Sequence, residues 1–245
     1  KELQTWAKFG CFSRKPKSHA RNVIDCRWVV KWKWEKLPDE SKRRVIRARL
    51  TVRGFKDCDA GTLASYAGTS QRYSQRIVAS EATIRGWDLC TADISKAFLQ
   101  GVSYEELAAT TGEPQREVNF YLPGGSVPIL RQVDGFKDFD PSREVLHCDK
   151  PGTGLVDAPR AFSLKLAKVT EDICGLRPTA VDPELCVRHA SGVLTCILTK
   201  HVDDLELAGR RELVEWVIKE LEKVFGSLSV TWNSFTNCGV RHIQC

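Results

Sequence analysis

Thr195-Cys196-Ile197-Leu198-Thr199-Lys200-His201-Val202-Asp203-Asp204-Leu205-Glu206-Leu207-Ala208 is the stretch that decides the fold. Val193 to Thr199 is rich in β-forming apolar residues, the chain turns at Val202-Asp203-Asp204, and it returns through Leu205, Leu207 and Ala208. Aspartate at a hairpin tip has an ordinary use in turn geometry. Two adjacent acids between apolar strands repel one another in a semi-buried tip unless a cation is bound. A second strand, Leu89 to Ile94, carries Asp93 near its end and runs into a helical turn, Ser95 to Leu99. Taken singly, Asp93 has the structural reading of a helix N-cap. Taken with Asp203 and Asp204 it completes a ligand set for two Mg²⁺ ions roughly 3.5–4 Å apart. Nucleases and phosphatases use similar sets.

Outward from these strands the chain alternates between the two periods. Val23 to Trp34 and Arg44 to Arg53 read as strands joined by a turn at Pro38-Asp39, which makes a basic β-hairpin. By even spacing, Arg47, Arg49 and Arg53 are expected on one face, whether for solubility or for gripping an anion. Residues 59–70 read as a loop and Tyr73 to Arg85 as a helix; Glu117 to Leu122 and Glu144 to Cys148 read as strands. Ala158 to Ile173 is an amphipathic helix with Phe162, Leu166, Val169 and Ile173 inward, ended by Gly175. Leu185 to His189 is a strand, and Arg210 to Phe225 is a helix with Leu213, Trp216, Val217, Leu221 and Val224 inward. Two short strands are expected to close the chain. The order predicts an α+β fold with helices backing one side of a sheet.

The 245 residues, 42% hydrophobic and 28% charged, suit a soluble globular protein with a real core. No apolar run approaches a bilayer span, so the expectation is an intracellular protein with no membrane partner. Ten scattered cysteines read as reduced, mostly buried thiols. Cys238, His242 and Cys245 cluster locally but fit no common zinc spacing. The chain has no methionine, which suggests a segment of a longer polyprotein or a decayed gene. Net charge is +6, unevenly placed: residues 1–57 hold 17 Lys and Arg against 6 Asp and Glu, the remainder 20 against 25. A basic first third beside an acidic remainder suits a polyanion grip next to a cation site; the plainer reading is a solvated charged face.

Five blocks, in order, resemble the reverse transcriptase of copia-type LTR retrotransposons: Arg27-Trp28-Val29-Val30-Lys31, Arg47 to Phe55, Asp93 to Gly101, Gly154 to Phe162, and Val202-Asp203-Asp204. The resemblance implies an RNA-directed DNA polymerase with the α+β fingers and palm of a right hand, the thumb absent or truncated. Residues 1–88 would be mainly fingers and 89–245 mainly palm, with 115–160 partly returning to the fingers. It implies that Asp93, Asp203 and Asp204 hold two Mg²⁺ ions (Mn²⁺ being the alternative), with the Ile94 carbonyl. The primer 3′-hydroxyl would attack the α-phosphate of a dNTP. Arg47, Arg49, Arg53, Ala158, Pro159 and Arg160 would lie along the nucleotide, and Phe98 would exclude a 2′-hydroxyl; without the family, Phe98 reads as core. His201, Val202, Cys238 and Gly239 would neighbour the primer. Implied partners are a primed RNA or DNA template, dNTPs, and the RNase H and integrase of a Pol polyprotein, in cytoplasmic virus-like particles and in the nucleus.

Three positions depart from the family pattern: His201 and Thr153 stand for tyrosines, and Asp157 for a glutamine. Asp157 puts a negative charge near the expected nucleotide site. The rival readings are a catalytically inactive, nucleic-acid-binding remnant and a two-metal nuclease.

Overall fold

The computed structural model describes residues 1–37, 39–64 and 66–244, so Pro38 of the hairpin turn, Ser65 of the loop and Cys245 of the cysteine–histidine cluster lie outside the described residues. The fold is α+β with several sheets, and the chain forms two compact units. One comprises 1–65 and 102–161, the other 66–101 and 162–245. The expected break at 88/89 divided the chain by function. The contact units divide it at other points and put the helix Arg72–Arg85 with the strand that ends at Asp93.

In the second unit a six-stranded antiparallel sheet runs in the order Ser229–Trp232, Asp88–Asp93, Asp204–Gly209, Val193–His201, Leu185–Ala190, Arg177–Pro178. Alternation gives it two faces. Cys90, Ala92, Leu205, Leu207, Cys196 and Leu198 pack in one cluster with Phe162, Leu166 and Val169 and with Val214, Val217, Ile218, Leu221 and Phe225 of the helix Arg211–Phe225. A second cluster joins Leu89, Ile197 and Ala208 to Val78 and Ala82 of Arg72–Arg85 and to Phe235. Helices therefore pack on both faces rather than one. The described residues contain no helix long and apolar enough to cross a membrane.

Three sequence readings need correction here. The helix from Ala158 is α-helical to Lys168 and then widens into a π turn, Val169–Ile173, which turns Ile173 outward to 46% exposure. In Arg211–Phe225 the buried stripe is Val214, Val217, Ile218, Leu221 and Phe225, while Leu213, Trp216 and Val224 are only partly buried on its flank. Three strands, not two, close the chain: Ser229–Trp232, Ser234–Asn237 and Val240–Ile243.

The first unit holds a five-stranded sheet in the order Phe12–Pro16, Glu144–Cys148, Asn119–Tyr121, Val23–Lys36, Lys42–Val52, with one parallel pair, Val23–Lys36 on Asn119–Tyr121. Trp6, Phe12, Phe120 and Phe136 form its aromatic core, with ring centroids 5.1–6.4 Å apart. The blocks around Gly54 and Gly154 lock together through backbone. The Val52 N–H donates to the Thr153 carbonyl (2.9 Å) and the Gly54 N–H to the Gly154 carbonyl (3.2 Å). A Cβ at either glycine would strike the other segment's backbone, and Gly154 has φ +100°, so both positions require glycine.

Candidate active site

The second unit's sheet brings the three aspartates to one end. Val193–His201 and Asp204–Gly209 pair with Asp204 opposite His201, leaving a two-residue loop, Val202-Asp203. Such a loop wants a positive φ at its first central position, normally supplied by glycine. Here Val202 takes it, at φ +59°, a costly conformation for a β-branched residue. Its side chain packs against the core, and its N–H lies 3.4 Å from the Gly68 carbonyl. The Asp203 carbonyl accepts a hydrogen bond from the Ile94 N–H at 3.1 Å, tying the tip to the strand that bears Asp93.

Asp93 and Asp204 are direct partners in the antiparallel ladder. Opposite residues share a face with Cβ atoms about 4.5–5.5 Å apart, and like charges there destabilise one another. Both side chains are partly buried. Burial, and then the Asp93 charge, raise the Asp204 carboxyl above its ordinary value, while His201 pulls it down. A set of partly desolvated carboxylates facing one another is the donor chemistry that hard divalent cations satisfy. Asp93, Asp203 and Asp204 carry the charge that such ions take, and Ile94 follows Asp93 directly.

Among the described residues, one trio of candidate ligands has its ligand atoms all within 4.8 Å of one another, and it is Asp57, Cys58 and Asp59. The hairpin aspartates are not drawn that close. Arg116 is engaged at the tighter trio, ion-paired with Asp57 and 3.9 Å from Asp59.

Phe98 follows a left-handed Lys96 (φ +57°) in the short 3₁₀ turn Ala97–Leu99 and is partly buried against the core. The amide of Gln100 holds this turn, donating to the Ser95 and Phe225 carbonyls at 3.0 Å each. Cys238 and Gly239 form the two-residue turn of the closing hairpin, both with positive φ (47° and 79°). They line a cleft of about 460 Å³ with Arg72, Gln75, Arg76 and His242.

Within the first unit, Arg47 and Arg49 stand exposed on one face of the long hairpin, opposite Lys31 and Val29. Arg53 does not join them. The strand ends at Val52, and the Arg53 guanidinium lies 3.1 Å from the Asp25 carboxylate, which Lys56 also approaches at 3.0 Å. Ala158 is buried and Pro159 partly so. Arg160 binds the Glu113 carboxylate (3.0 and 3.1 Å) and the Ala64 carbonyl (3.2 Å). Asp157 offers no free charge to a nucleotide. It is buried against Arg116, which bridges it to Asp57 and lies 5.5 Å from the Tyr104 ring centroid. Burial raises its carboxyl even so, with Arg116 opposing.

The sequence reading passed over Glu206. It lies two residues past Asp204 on the same strand, fully buried, and burial raises its carboxyl to about 7. Asn237 and His242 of the closing hairpin each approach it at 3.5 Å. Burial also lowers the His242 imidazole, so near neutral pH the ring is uncharged while the Glu206 carboxyl is about half ionised.

The chain matches no family model. It is similar to the retrovirus-related Pol polyprotein from transposon RE1 of Arabidopsis thaliana, 27% identical over 195 residues, which is 79% of this chain and 12% of that protein. The corresponding polyprotein from transposon RE2 of the same plant is 26% identical over 188 residues, 76% of this chain and 11% of that protein. These similarities support a retrotransposon Pol origin for the chain. The chain spans about an eighth or less of the length of these relatives.

Proposed function

We propose that the chain is the fingers-and-palm part of a reverse transcriptase from a retrotransposon Pol polyprotein, with the second unit as the core of the palm and the long basic hairpin in the fingers. The observation that supports this most is the pairing of Asp93 with Asp204 across one ladder, with Asp203 tied through its backbone to Ile94. Asp93, Asp203, Asp204 and the Ile94 carbonyl would hold two Mg²⁺ ions, or Mn²⁺ in their place. When bound, such ions favour ionisation of an attacking hydroxyl and stabilise a leaving phosphate oxygen.

The reaction is attack by a primer 3′-hydroxyl on the α-phosphate of a dNTP, with pyrophosphate leaving. The chain's own residues orient the reactants. Phe98, in the turn that Gln100 holds, would exclude a ribose 2′-hydroxyl by its bulk. Arg47 and Arg49 are exposed forks suited to triphosphate oxygens, and Arg160 lies at the start of the helix expected beside the nucleotide. Arg53 is the weakest of the four, being engaged by Asp25. His201, Val202 and the Cys238-Gly239 turn would neighbour the primer. The partners are a primed RNA or DNA template, dNTPs, and the RNase H and integrase of the same polyprotein, in cytoplasmic particles and the nucleus.

Primer extension on an RNA template tests the reading, with Asp203→Asn as control. Extension by the wild-type chain alone supports it. No extension by either leaves a binding remnant, and shortening of the strand indicates a nuclease.

A further inference from the structure

The long hairpin has two unlike faces. Register pairs Trp28 with Leu50, Val30 with Ala48, Trp32 with Ile46 and Trp34 with Arg44, so these residues share one face. At the base this face belongs to the core: Leu50 is fully buried, and the Trp28 indole N–H donates to Ser126 Oγ at 2.9 Å. Two residues on, the same apolar row continues into solvent. Trp32 is 59% exposed, Trp34 63% and Ile46 61%. The Arg44 guanidinium lies 4.6 Å from the Trp32 ring centroid. The opposite face carries Lys31, Lys33, Arg47 and Arg49.

Exposed tryptophans in a row mark a surface that something covers. Charge selects the occupant. Residues 27–53 hold ten Lys and Arg against three Asp and Glu, a net +7, so a second copy of this hairpin would be repelled and a polyanion drawn in. Chemistry narrows it further, because an indole face stacks on a nucleobase only where that base is unpaired and open. Spacing agrees. Alternate residues on a strand lie about 6.8 Å apart, twice the ~3.4 Å rise of a stacked nucleic-acid strand. Two indoles at that spacing can hold one base between them.

We propose that Trp32 and Trp34, with Arg44 on the same face, form a stacking surface for single-stranded nucleic acid. It rests on the polymerase reading for the identity of that strand, the unpaired template. Neither tryptophan lies within the five blocks that carry the family resemblance.

The test uses the full chain with a labelled 12-nucleotide oligouridylate or oligothymidylate and a duplex of equal length, read by fluorescence anisotropy. Both tryptophans are exposed, so Trp32→Ala/Trp34→Ala is expected to fold. The double variant should bind either single strand at least about tenfold more weakly, with duplex affinity and the salt slope unchanged. Arg44→Gln should instead reduce the salt slope by about 0.7. Unchanged single-strand affinity in the double variant overturns the proposal, as does equal loss on duplex. A wild-type dimer that the double variant dissolves also overturns it, by showing that protein covers the face. The polymerase reading fails separately: absent primer extension with intact tryptophan-dependent binding removes the chemistry and leaves this surface standing.

Discussion

Replacing Glu206 by glutamine should make the protein more stable in alkaline solution and almost no different in acid. Glu206 is 0% exposed, and burial lifts its carboxyl from an ordinary value near 4.5 to about 7. Because the folded value is the higher one, the folded state takes up a proton between those two pH values that the unfolded chain does not. The associated stability is fully present below about pH 4.5 and is lost as pH rises through about 7. At about 1.4 kcal/mol per pH unit the whole effect is roughly 3 kcal/mol. Glutamine keeps the shape and stays neutral, so the variant should match wild type near pH 4.5 and exceed it by about 3 kcal/mol at pH 8. His242, 3.5 Å away, acts in the opposite sense. Its folded value is depressed, so its contribution falls as the solution is acidified through its ordinary range. Urea unfolding followed by tryptophan fluorescence at several pH values between 4.5 and 8 gives the curve. A gap between variant and wild type that does not change with pH refutes the reasoning.

Other perturbations follow from the same geometry. Asp204→Asn removes one of two facing carboxylates, so without divalent cations it should raise the melting temperature; it should also abolish the increment that Mg²⁺ gives wild type, about 2.7 kcal/mol at a hundred times Kd. A wild-type melting temperature indifferent to Mg²⁺ would count against the cation site. Arg116→Met strands Asp57 and Asp157 as buried unpaired charges and should cost about 3–5 kcal/mol in urea unfolding; a cost below about 1 kcal/mol would mean the two acids are neutral already. Phe98→Val should leave dNTP incorporation measurable and raise the use of ribonucleotides in primer extension, and unchanged discrimination would return Phe98 to a core role.

Much of the fold was legible because strands and helices carry their periods openly. Alternation marks the two strands of the long hairpin, though not the register that pairs Trp32 with Ile46, and two apolar runs around a turn mark the aspartate hairpin. Short elements escaped. Tyr104–Thr111 has a full capping box between Ser103 and Glu106, but buries only Tyr104 and Leu107, too few to show a stripe. Long-range partners escaped for a different reason. Arg53 continues the spacing of Arg47 and Arg49, yet the strand stops at Val52, whose N–H goes to the Thr153 carbonyl a hundred residues on. Asp157 looks like a stray charge until Arg116 is seen beside it. Glu206 sits between Leu205 and Leu207, where alternation alone gives a polar residue no reason to be buried. The closing hairpin covers it by packing onto that face of the sheet.

Val202 carries the last step. A hairpin kept only for its fold would gain by placing glycine at the first loop position, since a β-branched residue in the left-handed region costs on the order of 1–3 kcal/mol. Here the cost falls on the residue beside Asp203 and Asp204, at the end of a sheet where Asp93 already opposes Asp204. Strain and like-charge repulsion thus coincide at one tip. Each alone is a defect that a structural hairpin tends to lose, whereas a polymerase site has use for both: the repulsion is relieved when cations bind, and a stiff valine turn fixes where the aspartates stand. Relief of that repulsion by Mg²⁺ is what the melting comparison of Asp204→Asn with wild type reads.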